Sequence, residues 1–321
     1  MPRSIFTRRT ALALGTAALA TPAILPAFAA APMLGPARPT FRRVQLGAFE
    51  VTTLLDGASP VPDPHTIFGT NQDPADVAAL LEANNLPTGA AEFTFAPVLV
   101  NTGDSLILFD TGNGADARPA RGNLLTRIEE AGYTADQVDT VVLTHMHPDH
   151  IGGMMEGDAP AFPNADYVTG STEWDFWASE DRIGSPAEGV HQLFNAKVRP
   201  FAERTRFLTP GEAVVSGIEA LDAFGHTPGH MAYHIESEGQ RLVLIADTAN
   251  HFVLSMERPD WEVRFDLDKE AAAATRRSLL GMIAADGVPF IGYHMPFPAM
   301  GYLQASGDGF AYEAASYQLN I

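Results

Sequence analysis

Thr144-His145-Met146-His147-Pro148-Asp149-His150-Ile151-Gly152-Gly153 is the stretch on which the reading of this chain turns. It follows residues 138–144, a run rich in β-branched side chains that predicts a buried strand stopping at the first histidine. Three histidines and one aspartate within six residues are hard to satisfy inside a core, where each polar group needs its own partner. Imidazole and carboxylate are good ligands for zinc, manganese and iron. On a loop at a strand end, His145 and His147 can face one point while Asp149 and His150 face another, which suggests two metals.

Further donors stand at other strand–loop junctions. Gly225-His226-Thr227-Pro228-Gly229-His230 follows one apolar run and precedes another. Leu244-Ile245-Ala246-Asp247 ends a run with a carboxylate, and Ile291-Gly292-Tyr293-His294 ends one with an imidazole. Strand ends on a rigid scaffold are the usual places for functional groups.

The surrounding sequence supports a mixed sheet covered by helices. Residues 41–55 predict two short strands with a turn near Gly47. Residues 56–89, rich in Pro, Asn and Asp, predict a long loop or lid with one helical piece at 75–83. Residues 93–100 and 105–109 predict a hairpin; 218–223, 230–236, 241–246 and 289–293 predict strands. Helices are expected at 124–131, 172–179, 187–197 and 269–285, the last stopped by Gly287 and Pro289.

Composition narrows the chemistry. The chain has 321 residues, 20 Lys+Arg against 39 Asp+Glu, a formal charge of −19 and no cysteine. The acidic balance argues against nucleic acid. Without cysteine there is no disulfide, thiolate nucleophile, Fe–S cluster or Cys-ligated zinc, so any metal must sit on His, Asp and Glu.

Taken in order, His-x-His-x-Asp-His, the His-Thr-Pro-Gly-His turn, the strand-end Asp247 and the late His294 resemble the metallo-β-lactamase superfamily. The resemblance implies an α/β fold: one αβ/βα four-layer sandwich over residues 41–321, with a dinuclear site at the edge of its two sheets. It implies that His145, His147 and His230 hold the first metal, and that Asp149, His150 and His294 hold the second. Asp247 bridges the two, and His226 serves a supporting role. Asp110, in Leu108-Phe109-Asp110-Thr111-Gly112, would orient a ligand histidine. Residues 144–153, 161–165, 175–177 and 296–298 further resemble methyl-parathion-hydrolase-like enzymes and their lactonase relatives. On that likeness Trp177 and Phe194 wall an apolar substrate pocket. Thr248-Ala249-Asn250 and residues 113–118 depart from it and make the pocket more polar.

The implied function is hydrolysis of an ester, lactone or phosphotriester by a metal-bridging hydroxide. Two divalent ions, zinc foremost, would supply it, Asp149 would pass a proton to the leaving group, and the partner would be a small molecule. Relatives of this type are often homodimers; composition does not decide the matter. Alternatives are a mononuclear-iron, sulfur dioxygenase-type oxidoreductase, a metallo-β-lactamase, or a binding protein on a decayed scaffold. Diiron flavoproteins of the superfamily carry Glu where His147 stands, and all seven ligand positions are present here. Among the remaining histidines, His65, His191 and His234 are expected to be structural or solvated, and His251 to line the pocket mouth.

Residues 1–29 are expected to be an address rather than part of the fold. Arg3, Arg8 and Arg9 precede an apolar run, and Ala27-Phe28-Ala29 has the form of a signal-peptidase site. Thr7-Arg8-Arg9-Thr10 resembles a twin-arginine signal, implying export to the periplasm. Residues 30–40 are expected to be a linker, and no stretch is long and apolar enough to span a membrane.

Overall fold

Side-chain alternation builds the first sheet. The computed structural model describes residues 32–321, so the expected leader lies outside the described residues. Residues 32–39 carry no regular structure. Strand β1 (Phe41–Leu46) turns at Gly47 into β2 (Phe49–Leu54). β3 (Gly57–Pro62) and β4 (Ala90–Phe95) form a separate antiparallel ribbon, with helix α1 (Pro74–Ala83) between them in sequence. β5 (Val98–Asn101) and β6 (Leu106–Phe109) make a hairpin. The strand expected over 93–100 is therefore two strands, broken where Pro97 offers no N–H to a ladder. Helix α2 (Leu124–Glu130) leads to β7 (Thr140–Leu143), and the histidine stretch winds into the single turn α3 (Pro148–Ile151).

β8 (Met155–Glu156) and β9 (Ala159–Pro160) form a small ribbon before β10 (Asp166–Gly170). Helices α4 (Ser171–Ala178) and α5 (Glu188–Lys197) precede β11 (Thr205–Leu208). The sheet order is β1-β2-β5-β6-β7-β10-β11, parallel from β6 to β11. Val98, Val100, Ile107, Phe109 and Val142 face the second sheet. Leu99, Leu106, Leu108, Val141 and Leu143 pack instead with Leu124, Ile128 and Phe194 of the outer helices. A strand buried on both faces reads as an unbroken apolar run, which is how β6 and β7 appear in the sequence.

The second sheet is β12 (Ala213–Val215), β13 (Ile218–Asp222), β14 (Met231–Ser237), β15 (Gln240–Ala246), β16 (Phe290–Gly292), β17 (Met300–Ser306) and β18 (Gly309–Ala314), in that order. Only β15 and β16 pair in parallel, and helix α6 (Lys269–Asp286) makes the crossover between them. Asp268 caps α6 through the Ala271 N–H, and Gly287 ends it at φ +63°. Leu279, Leu280 and Ile283 bury its inner face on the sheet. The result is the expected four layers: helices, sheet, sheet, helix. Among the described residues no helix is long and apolar enough to cross a membrane.

Residues 56–89 are more ordered than the expected long loop. Besides β3 and α1, they bury Ile67, Phe68, Val77 and Leu81 against Phe93, Val253 and Leu254.

Candidate metal centre

The donors come from the segments that follow β7, β13, β15 and β16: four from the first and one from each of the others. His145 Nε2, His147 Nδ1 and His226 Nε2 converge, with 3.1 Å between the first pair and 2.9 Å between the second. Beside them Asp149, His150 and His294 form a second group; Asp149 Oδ2 lies 3.5 Å from His150 Nε2 and 3.4 Å from His294 Nε2. Asp247 stands between the groups. Its Oδ2 is 3.3 Å from His226 Nε2 and 3.1 Å from His294 Nε2, and its Oδ1 is 3.3 Å from His150 Nε2. His150 Nε2 and Asp247 Oδ1 are buried without a hydrogen-bond partner among the described residues. Nitrogen and oxygen donors gathered this closely, with buried atoms left unpaired, fit two divalent cations.

The structure corrects one expected ligand. His230 is buried, its Nδ1 donates to the Ala223 carbonyl at 2.8 Å, and its Nε2 accepts the Asp247 N–H at 3.1 Å. Both ring nitrogens are spent on the main chain. His226, four residues earlier in the same turn, occupies the place expected for His230.

Three of the converging rings are held from behind by a carboxylate or carbonyl. Asp110 Oδ2 accepts from His150 Nδ1 at 2.8 Å, as expected, while Asp110 also accepts from the Thr144 N–H and hydroxyl. Asp266 Oδ1 accepts from His226 Nδ1 at 2.8 Å, and its Oδ2 accepts two 3.0 Å bonds from the fully buried Arg276. His294 Nδ1 donates to the Thr94 carbonyl. Such partners fix the tautomer that leaves the other nitrogen free to bind.

Glu173, buried on α4, ties the two histidine loops together. It accepts from the Met146 N–H, the Trp177 indole, the Thr227 hydroxyl and the Gly229 N–H. Gly229 is required there, because a Cβ would stand 2.1 Å from the Glu173 nitrogen. Gly153 is required for the same reason: its Cβ would meet the Thr111 carbonyl at 2.0 Å. The Tyr293 hydroxyl donates to the Asp149 carbonyl at 2.6 Å, and its ring lies 3.9 Å from that of His150. Asp110 at φ +61° and Ala246 at φ +43° hold left-handed backbone at two strand ends of the site, a conformation that non-glycine residues seldom adopt.

Charge follows the packing. Burial, aided by neighbouring imidazoles, holds His145 and His147 well below the usual histidine range. Burial also drops His230 to about 3. Burial opposes charge on His226 as well, but the Asp247 and Asp266 carboxylates outweigh it and lift that ring to about 9. Asp247 would be raised by burial; His294 and His150 instead hold it well below the carboxylate range.

The cluster floors a cleft of about 960 Å³ walled by Phe93, Phe95, Phe176, Trp177 and Phe265. Trp177 reaches it with little exposed surface, its ring 6.2 Å from that of His147. Phe194 does not reach it: it is fully buried between sheet and helix, edge-on to Trp174. An apolar side chain on the inward face of α5 packs into the core rather than the cleft. His251, expected at the pocket mouth, is buried against Phe68 and Phe252. His191 is structural, bonded to the Trp177 carbonyl and Asn195. Sequence reading missed Glu173, Asp266 and Arg276; none has a spacing signal, because each acts across distant segments.

The sequence pattern of the metallo-β-lactamase superfamily matches residues 96–287, more than half of the chain. The chain belongs to this superfamily. The N-acyl homoserine lactonase of Bacillus cereus is 26% identical over 194 residues, 57% of this chain and 70% of that enzyme. Against the N-acyl homoserine lactonase of Bacillus thuringiensis, identity is 28% and the chain spans about half of that enzyme's length, 54%. Among solved structures, the dizinc quorum-quenching lactonase AidC with bound N-hexanoyl-L-homoserine superposes with a TM-score of 0.79 at 27% identity, covering 87% of this chain and 98% of AidC. The hydrolase AbOPH superposes with a TM-score of 0.81 at 26% identity, covering 88% of this chain and all of its own, 100%. The protein is a metal-dependent hydrolase of the superfamily, and its donor groups suit two divalent metals.

Proposed function

We propose that this protein opens lactones that carry an apolar acyl group, with aryl esters and phosphotriesters as further substrates of the same site. The observation that carries the reading is Asp247, whose carboxylate stands between the two donor groups, its Oδ2 beside both His226 and His294 and its Oδ1 beside His150. His145, His147 and His226 would hold one zinc ion, and Asp149, His150 and His294 the other. Two such cations supply an acidified water and stabilise charge developing on the reacting oxygen.

The chain's own groups do the rest. Asp247 fixes the spacing of the two sites and, lying deep in the cluster, presents negative charge to both. Asp149 is the least buried of the acidic donors and lines the cleft. It is placed to carry the proton lost by water to the departing alkoxide. In the overall step the water oxygen bonds to the carbonyl carbon and the ring C–O bond breaks. The alkoxide takes the proton, leaving a hydroxy acid. The aromatic walls exclude water from the acyl chain and orient it. Likeness to lactonases that act on N-acyl homoserine lactones supports lactone over β-lactam.

The test is metal analysis of purified protein together with hydrolysis of N-hexanoyl homoserine lactone, an aryl ester and a phosphotriester. About two metals per chain, with lactone turnover lost on chelation, is the expected result. One iron per chain with oxygen uptake on thiols and no hydrolysis overturns it. The leader-like N-terminus supports periplasmic export through the twin-arginine route. Cell fractionation of wild type and of an Arg8→Lys, Arg9→Lys variant tests that, with retention of the variant in the cytoplasm expected.

A further inference from the structure

Three arginines line the cleft of this acidic protein: Arg121, Arg182 and Arg264. None forms an ion pair with a carboxylate among the described residues. Arg182 lies 4.2 Å over the Phe176 ring, and its Nε is buried without a hydrogen-bond partner. Arg264 lies 4.9 Å over the Phe265 ring and is exposed to solvent. Arg121 donates to Asn113 and Ser59 and faces the Phe95 ring at 5.8 Å.

Their placement relative to the metal cluster is regular. Phe95 and Phe93 lie 5.5 Å and 4.3 Å from the His294 ring, and Phe265 meets Phe93 edge-on at 6.4 Å. On the other wall Phe176 touches Trp177, which touches His147. Each guanidinium is thus separated from a cluster histidine by one or two aromatic rings. Besides Asp149 and Asp247 of the donor cluster, two carboxylates line the cleft: Asp268 is engaged in capping α6, and Asp181 is exposed at the surface.

We propose that the cleft selects substrates that are both apolar and anionic. The preferred ester or lactone carries a carboxylate at the far end of its acyl or aryl part. The apolar segment lies along the aromatic rings, and the carboxylate meets Arg182 from the Phe176 wall and Arg264 from the Phe93 wall, with Arg121 beside Phe95 on that second wall. Guanidinium is suited to this because it pairs with carboxylate through parallel N–H donors while stacking on a ring. The overall negative charge of the chain would repel such a substrate at long range; the local cations within a Debye length reverse that sign at the cleft. This inference rests on the hydrolase reading above and names its substrate class.

The experiment compares p-nitrophenyl hexanoate with mono-p-nitrophenyl adipate on the metal-loaded enzyme. These esters have the same chain length and differ by the terminal carboxylate. The expected ratio of kcat/KM, anionic over neutral, is about tenfold, the size of one charge-assisted hydrogen bond. It falls to near unity in an Arg182→Ala, Arg264→Ala double variant, partly returns with lysine at both positions, and drops with ionic strength. Because the readout is a ratio within one protein sample, incomplete folding of a variant cancels. A wild-type ratio at or below unity, or a ratio unchanged in the double variant, overturns the proposal while turnover of the neutral ester leaves the hydrolase reading standing. No turnover of either ester or of a lactone by protein carrying two metals overturns both.

Discussion

The backbone N–H of Asp247 donates a 3.1 Å hydrogen bond to Nε2 of His230, so that ring faces the main chain rather than the donor cluster. Its neighbour in the turn, His226, points the other way, toward His147 and Asp247. The pair provides a direct test of the site. His226→Ala should lose one of two bound metals and nearly all turnover. His230→Gln should retain both metals, because its amide can replace the two main-chain hydrogen bonds. Metal content by mass spectrometry decides: retention of two metals by His226→Ala together with loss by His230→Gln would reverse the assignment.

Glu173 should be worth more to stability than a surface glutamate. Its two oxygens satisfy four donors from Met146, Trp177, Thr227 and Gly229, all out of contact with water. Each buried donor left unpaired costs about 1–3 kcal/mol. Glu173→Ala is expected to lower unfolding free energy by at least about 4 kcal/mol, and Glu173→Gln by about 2 kcal/mol, since the amide NH₂ must face donors on one side. Urea denaturation of the metal-loaded proteins measures both. A loss under about 1 kcal/mol in Glu173→Ala would show that water replaces the carboxylate.

The donor cluster was legible in sequence because its residues end apolar runs, and a strand that ends in His or Asp advertises a site. Six of the seven expected ligands meet at the site. The exception arose inside one turn, where His226 and His230 have equal chemistry and only the fold decides which ring the strand β14 turns inward. The layers were legible for the same reason that β6 and β7 are: both faces are buried. β17 and β18 were missed because their outer halves are exposed and carry no unbroken apolar run. β3 was hidden by Pro60 and Pro62, which an edge ribbon tolerates and a central strand does not. Phe194 illustrates the converse: an aromatic at helix spacing carries no information on which side of the helix the cleft lies.

Asp110 and Asp266 should tune metal affinity from behind the ligands. Each accepts the N–H of a cluster histidine, His150 and His226 respectively, at 2.8 Å. Asp110→Asn and Asp266→Asn can each present an N–H to that nitrogen and favour the wrong tautomer. Removing partners of this kind typically costs about 10–100-fold in metal affinity. Competition with a fluorescent chelator measures it, and affinities within twofold of wild type would refute the orienting role. Asp266→Asn carries a second effect, because Arg276 would be left buried without its carboxylate. A further loss of about 3–5 kcal/mol in unfolding free energy is expected there and not in Asp110→Asn.

His251 gives the fold a pH dependence independent of the metals. Its Nδ1 accepts the backbone N–H groups of Val253 and Leu254, both at 3.1 Å. Burial against Phe68 and Phe252 lowers the ring to about 4, from 6.5 in an unfolded chain. The neutral ring is therefore favoured by folding. Its contribution is fully present above pH 6.5 and is lost as pH falls through 4, when protonation would set an N–H against two backbone donors. The shift corresponds to about 3 kcal/mol. His251→Asn keeps an acceptor near Nδ1 but does not titrate in this range. The wild type should thus lose about 3 kcal/mol more than the variant between pH 7 and pH 4 by urea denaturation. Comparing the two on metal-stripped protein removes the contribution of the cluster histidines, which both proteins share. Parallel pH profiles would mean that the ring reaches water in the native state and that the aromatic packing around it opens on acidification.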